Sequence, residues 1–152
     1  MERKETMVVG AAVALVLYTL ALSAIGPAAS AIMRNRTISN AGSVKTIGVG
    51  VYWDQALNNP VASVNWGTLE PGSNVNRTVF IRNEGNTAAT LSMTTSNWNP
   101  SNASSYMTLS WDYAGQTLAV DEVRQVRFTL AVSSSISGIT SFSFDITIAA
   151  NG

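Results

Sequence analysis

The residues able to carry chemistry are few. Beyond the first forty positions the carboxylates are Asp54, Glu70, Glu84, Asp112, Asp121, Glu122 and Asp145, and two of them would suffice for the acid and base of a glycosidase. Against that reading, Glu70, Glu84, Asp121 and Glu122 fall where the sequence predicts turns, and turn carboxylates are solvated or cap the backbone. The chain holds no histidine and no cysteine. That removes the usual zinc and copper ligand sets, Ser-His and Cys-His nucleophile pairs, iron–sulfur clusters and structural disulfides. A Ser-Lys dyad would need Lys45, which the strand pattern places opposite the apolar face. Calcium would favour the oxygen atoms of Asp54, Asn58 and Asn59, or of Asp112, but the spacing of a calcium loop is absent. The expectation is a protein that is not an enzyme, with no catalytic residue, no cofactor and no metal. Nine basic residues balance nine acidic ones, so the counterion release that drives nucleic-acid binding has no basic excess to work with.

Contact chemistry is better represented. Trp53, Trp66 and Trp111 sit in strand patterns and are expected in the core. Trp98 lies among amides in Asn97-Trp98-Asn99-Pro100, with Tyr106 nearby, in a stretch from Ser96 to Ser105 that reads as a loop with one helical turn after Pro100. An aromatic in that setting suits sugar stacking or a protein contact; its structural alternative is a lid over one end of the core. Three Asn-x-Ser/Thr sequons, at Asn35, Asn76 and Asn102, are candidate glycosylation sites in an exported chain.

Export is itself a sequence inference. No charge occurs from Thr6 through Met33, and Met7 to Ile25 is almost wholly apolar. As a helix this run rises about 28 Å at roughly 1.5 Å per residue, close to the hydrocarbon thickness of a bilayer. Gly26 and Pro27 break it, and Ala29 and Ala31 fit the small-residue rule for signal cleavage. Residues 1–31 are therefore a signal peptide cleaved after Ala31 or, if retained, a signal anchor holding the protein to the membrane through residues 7–25. Both place the remainder outside the cell or on its surface. Residues 32–43 form an arm or linker. Its Ile32-to-Ser39 stretch, with Ile32 and Ile38, is β-competent and could pair with an edge strand of a neighbour, or serve as an ordinary first strand.

From Val44 onward apolar residues recur at every second position, the period of a strand with one buried face. The runs are Val44 to Trp53, Val61 to Trp66, Val75 to Arg82, Ala88 to Thr95, Tyr106 to Trp111, Val123 to Val132 and Ile139 to Ala149. In the first, Ile47, Val49, Val51 and Trp53 share the apolar face. Glu70-Pro71-Gly72-Ser73 and Asn83-Glu84-Gly85-Asn86 supply turns. The pattern predicts an all-β chain: one immunoglobulin-like antiparallel β-sandwich of about seven strands over 44–150, preceded by one N-terminal hydrophobic helix. With 46% hydrophobic residues it can build a core without crosslinks.

The stretches Trp66-Gly67-Thr68-Leu69-Glu70-Pro71-Gly72-Ser73 and Arg77-Thr78-Val79-Phe80-Ile81-Arg82-Asn83-Glu84-Gly85-Asn86-Thr87 resemble the strand, Pro-Gly turn, strand and Asn-x-Gly-Asn turn of exported prokaryotic immunoglobulin-like domains. The whole plan resembles short archaeal cell-surface proteins. It is more loosely similar to the TasA and camelysin group of matrix and filament proteins, some of which polymerise by inserting an N-terminal strand into a neighbour. The resemblance implies a structural or interaction module of an archaeal cell surface, partnered by copies of itself or by other surface proteins, and it supplies no catalytic residue. The rival expectations are a module binding glycan or surface polymer through exposed aromatics, and a membrane-anchored accessory domain.

Overall fold

The computed structural model describes residues 39–152. The signal or anchor helix, the membrane segment 7–25, Ile32 and Ile38 of the arm and the sequon at Asn35 lie outside the described residues. Among the described residues no helix is long and apolar enough to cross a membrane.

The strands are β1 (Ser39–Ile47), β2 (Val49–Tyr52), β3 (Ser63–Val64), β4 (Asn74–Asn83), β5 (Thr90–Asn99), β6 (Met107–Trp111), β7 (Val123–Val132) and β8 (Ser141–Asn151), with a 3₁₀ turn at Ser101–Ser105. They form two four-stranded sheets, β3-β1-β8-β5 and β2-β4-β7-β6. Val79 and Ile81 of β4 and Val126, Phe128 and Leu130 of β7 meet Phe144, Ile146 and Ile148 of β8, with Val64 and Trp66, in one apolar core. Alternation along each strand sends these side chains inward and their neighbours to solvent, so the chain is a β-sandwich.

Three expectations need correction. Among the described residues there are eight strands rather than about seven, and the sandwich is mixed: β1 lies parallel to β8 from Ser39↔Ser141 to Ile47↔Ala149. The run Val44 to Trp53 is two strands in different sheets, because Gly48 adopts φ 69°, a left-handed conformation that glycine reaches without strain. The turn breaks the alternation. Val49 and Val51 are buried, while Ile47 points outward with 61% exposure. Trp53 lies one residue past the end of β2 and is 38% exposed, so it is not a core residue.

The third correction concerns residues 96–105. β5 continues to Asn99, and the 3₁₀ turn follows Pro100 at the position expected for a helical turn. Between Ser96 and Asn99 the register against β8 slips by one residue. Asn97 absorbs the extra residue at φ 53°, a conformation asparagine tolerates, and pairing resumes beyond it. At the other end of the expected domain, β1 starts at Ser39, so Ser39–Ser43 of the anticipated arm is already strand.

One buried polar side chain ties the loops together. Asn83 is fully buried; its Nδ2 donates to the carbonyls of Thr87 and Leu118 at 2.8 and 3.1 Å, and its Oδ1 accepts from the Gly85 amide at 3.0 Å. Removing it leaves the buried Leu118 carbonyl without this donor and unties the turn at Gly85 and Thr87. Asn83→Ala is expected to cost about 2–4 kcal/mol in denaturant unfolding, and Asn86→Ala, at an exposed site, less than about 0.5 kcal/mol.

Candidate assembly site

The predicted contact residues, Trp98 and Tyr106, are both half-buried. The slip at Asn97 turns Trp98 inward, where its ring stacks on Phe144 at 4.1 Å and 9°. Trp66 stacks on Phe144 at 6.3 Å and 15°, and Trp98 Nε1 donates to Thr95 Oγ1 at 3.3 Å. Trp98 is half-buried and packed against the core, which is the lid arrangement. Tyr106 is also half-buried against the core, just past the 3₁₀ turn. Asn76 and Asn102 are exposed, the first on β4 with its Oδ1 accepting from Thr129 Oγ1 at 2.8 Å, the second on the 3₁₀ turn.

The carboxylates are drawn into local structure. Asp54 accepts from the Asn58 and Asn59 amides and from Asn59 Nδ2, at 3.1, 2.9 and 2.7 Å. Those bonds, the Asn58 amide foremost, hold its carboxyl below the usual range. Glu122 is likewise lowered by Arg124 and by the Ala119 amide. Glu84 accepts from the Tyr52 hydroxyl at 2.7 Å, which pushes the phenol up. Asp112 accepts from the Arg127 amide, and Asp121 pairs with Arg82.

The distinctive feature is the seat of β1. This strand fills the space between β3 and β8, with Gly42 opposite Val64 on one side and Phe144 on the other. Gly42 is buried, and a Cβ there would lie 3.2 Å from Trp66 Nε1 and 3.5 Å from Ile146 Cδ1. The aromatic floor therefore accepts the strand backbone at that register and little else. Val44, half-buried, is the apolar side chain that β1 packs against the core, whereas β8 alone buries Phe142, Phe144, Ile146 and Ile148. Main-chain pairing, more than side-chain burial, holds β1 in place.

On the outer face a polar clasp ties β1 to its neighbours. Lys45 Nζ lies 2.6 Å from Asp145 Oδ2, and Asn97 Nδ2 donates to the same oxygen at 2.7 Å, so one carboxylate links β1, β8 and the β5 bulge. Lys45, then Asn97, hold the Asp145 carboxyl below the usual range. The clasp is an ion pair reinforced by one amide hydrogen bond. Lys45 is 59% exposed and Asp145 17%, and solvent screens the attraction. The strand pattern places Lys45 on the surface; its partner is out of sequence reach, since the two sit at opposite ends of the sandwich sequence.

No family model matches this chain. Comparison with curated protein sequences gives no match either.

Acid should loosen the clasp. A carboxyl lowered in the folded state stabilises the fold above its unfolded value, and that contribution disappears as pH falls through the lower, folded value. Unfolding midpoints measured at pH 6 and at successive steps below pH ~4 should fall for the native protein. Asp145→Asn should show a smaller fall, with the remainder carried by Asp54 and Glu122. Equal acid sensitivity in both proteins would remove Asp145 from the account.

Proposed function

We propose that this chain is a non-enzymatic, exported structural module of a prokaryotic, archaeal-type cell surface, and that it assembles into filaments by exchanging its first strand between copies. The supporting observation is the way β1 is held. It joins the rest of the sandwich through the single residue Gly48 and occupies its groove mainly by main-chain pairing.

The strand order gives that observation its meaning. An immunoglobulin-like sandwich has sheets ordered A-B-E-D and C-F-G. On this reading β2, β4, β7 and β6 correspond to A, B, E and D, and β5 and β8 to C and F. The place beside F, where G would run antiparallel, is held by β1 running parallel. A strand supplied from the start of the chain, on a one-residue hinge, can be supplied equally by a neighbour, because the groove presents the same floor to either. A head-to-tail exchange of this kind builds a fibre when the rotation between successive copies does not close into a ring. The delivery segment 1–31 and the resemblance to archaeal surface proteins support the location. The absence of histidine and cysteine from the sequence supports a non-catalytic role.

The hinge provides the test. In the closed monomer residue 48 must hold φ 69°, and a side chain there would meet the Ala150 Cβ at 3.3 Å; the proposed exchange would let the same link extend. Gly48→Val should destabilise the closed form by about 1–2 kcal/mol and lower the concentration needed for fibres roughly tenfold, scored by electron microscopy of protein starting after Ala31. Fibres that fail to form at any concentration, or a Gly48→Val protein that is less stable and assembles less, would overturn the proposal. Monomers retained on cell-wall polysaccharide without fibres would favour the glycan-binding reading instead.

A further inference from the structure

The sheet that seats β1 ends, on the other side of β8, at β5. Ala89 donates its amide to the Leu118 carbonyl and accepts from the Leu118 amide, while Leu91 donates to the Tyr113 hydroxyl. None of these partners belongs to β8, so the odd-numbered residues of β5 turn their main-chain groups away from the sheet. Met93 and Thr95 continue that alternation, and among the described residues their outward amides and carbonyls meet no strand or loop. The open window is bounded by the Tyr113 cap at Leu91 and the left-handed turn at Asn97.

We propose that this window, Ser92 to Ser96, is a docking edge for the same strand of a second copy, the two β5 strands pairing antiparallel about a twofold axis at Thr94. The chemistry of the strand selects that occupant. No charged residue lies between Thr90 and Asn99, so self-pairing sets no like charges opposite each other, and neither lysine nor proline guards the window. With the axis at Thr94, Met93 faces Thr95 of the second copy and exchanges both main-chain hydrogen bonds with it, and the symmetric pair does the same. On the outer face Thr94 then meets Thr94 of the second copy, and Ser92 meets Ser96 of the second copy, matching hydroxyl to hydroxyl. The sheets of the two copies become one continuous sheet. This pairing does not rest on exchange of β1, which lies on the far side of β8.

The absence of cysteine makes the test clean. Across the axis Thr94 sits in a non-hydrogen-bonded pair with Cβ atoms about 4.5–5.5 Å apart, close enough for a disulfide after small adjustment. Thr94→Cys in the full chain, purified in detergent, should oxidise to a dimer about tenfold faster than Thr108→Cys, an exposed site on the other sheet. Adding Thr95→Pro should bring the rate down to that of Thr108→Cys, since an edge strand accepts proline where its nitrogen faces solvent; circular dichroism checks that the fold is kept. A second readout needs no proline: Ser92→Cys mixed with Ser96→Cys should give the mixed dimer, and neither should dimerise alone. Equal rates for Thr94→Cys and Thr108→Cys, or Ser92→Cys dimerising by itself as fast as the mixture, would overturn the proposal.

Discussion

The left-handed backbone at Gly48 is the constraint on which the architecture turns. It lets a continuous stretch of chain leave one sheet and enter the other within one residue. It therefore decides which face Ile47 and Val49 occupy, where β1 lies, and what covers the Trp66–Phe144–Ile146 floor beneath Gly42.

Two kinds of interaction divide the work. The permanent part is the core, where Trp66, Trp98, Phe142 and Phe144 stack and β4, β7 and β8 supply fully buried aliphatic side chains. The remaining part, β1, is held by hydrogen bonds and one partly exposed ion pair, interactions that an identical neighbour would reproduce in the proposed exchange. In the proposed exchange the core would be the same whether the first strand is the molecule's own or a neighbour's. The same division explains why Trp98, which has the sequence setting of a contact residue, serves the permanent part.

Much of this was legible in the residues. The alternation in Val123 to Val132 and in Phe142 to Ile148 specified strand, face and burial together, because both strands cross the middle of a sheet and bury one full side. What alternation cannot express is a change of sheet. Ile47 through Trp53 keeps its period on paper, while the φ of Gly48 reverses the faces in space. The bulge at Asn97 escaped for a related reason: an amide-rich stretch without period reads as loop, yet Asn97 continues the strand by bonding to Asp145, 48 residues away. Parallel pairing of the first strand with the last was equally hidden, since neither Gly42 nor Val44 carries the near-continuous apolar pattern that marks a buried parallel strand.

The central claim is that β1 can belong to a neighbour, and a disulfide reports ownership directly. Ala41 and Ser143 are register partners on the outer face of β1 and β8, away from the Lys45–Asp145 clasp. With both changed to cysteine, protein should be oxidised after assembly and run on a denaturing gel without reductant. Strand exchange predicts a ladder of covalently joined chains that collapses to one band on reduction. Oxidised fibres that yield only single chains, each carrying an internal bond, would contradict the account.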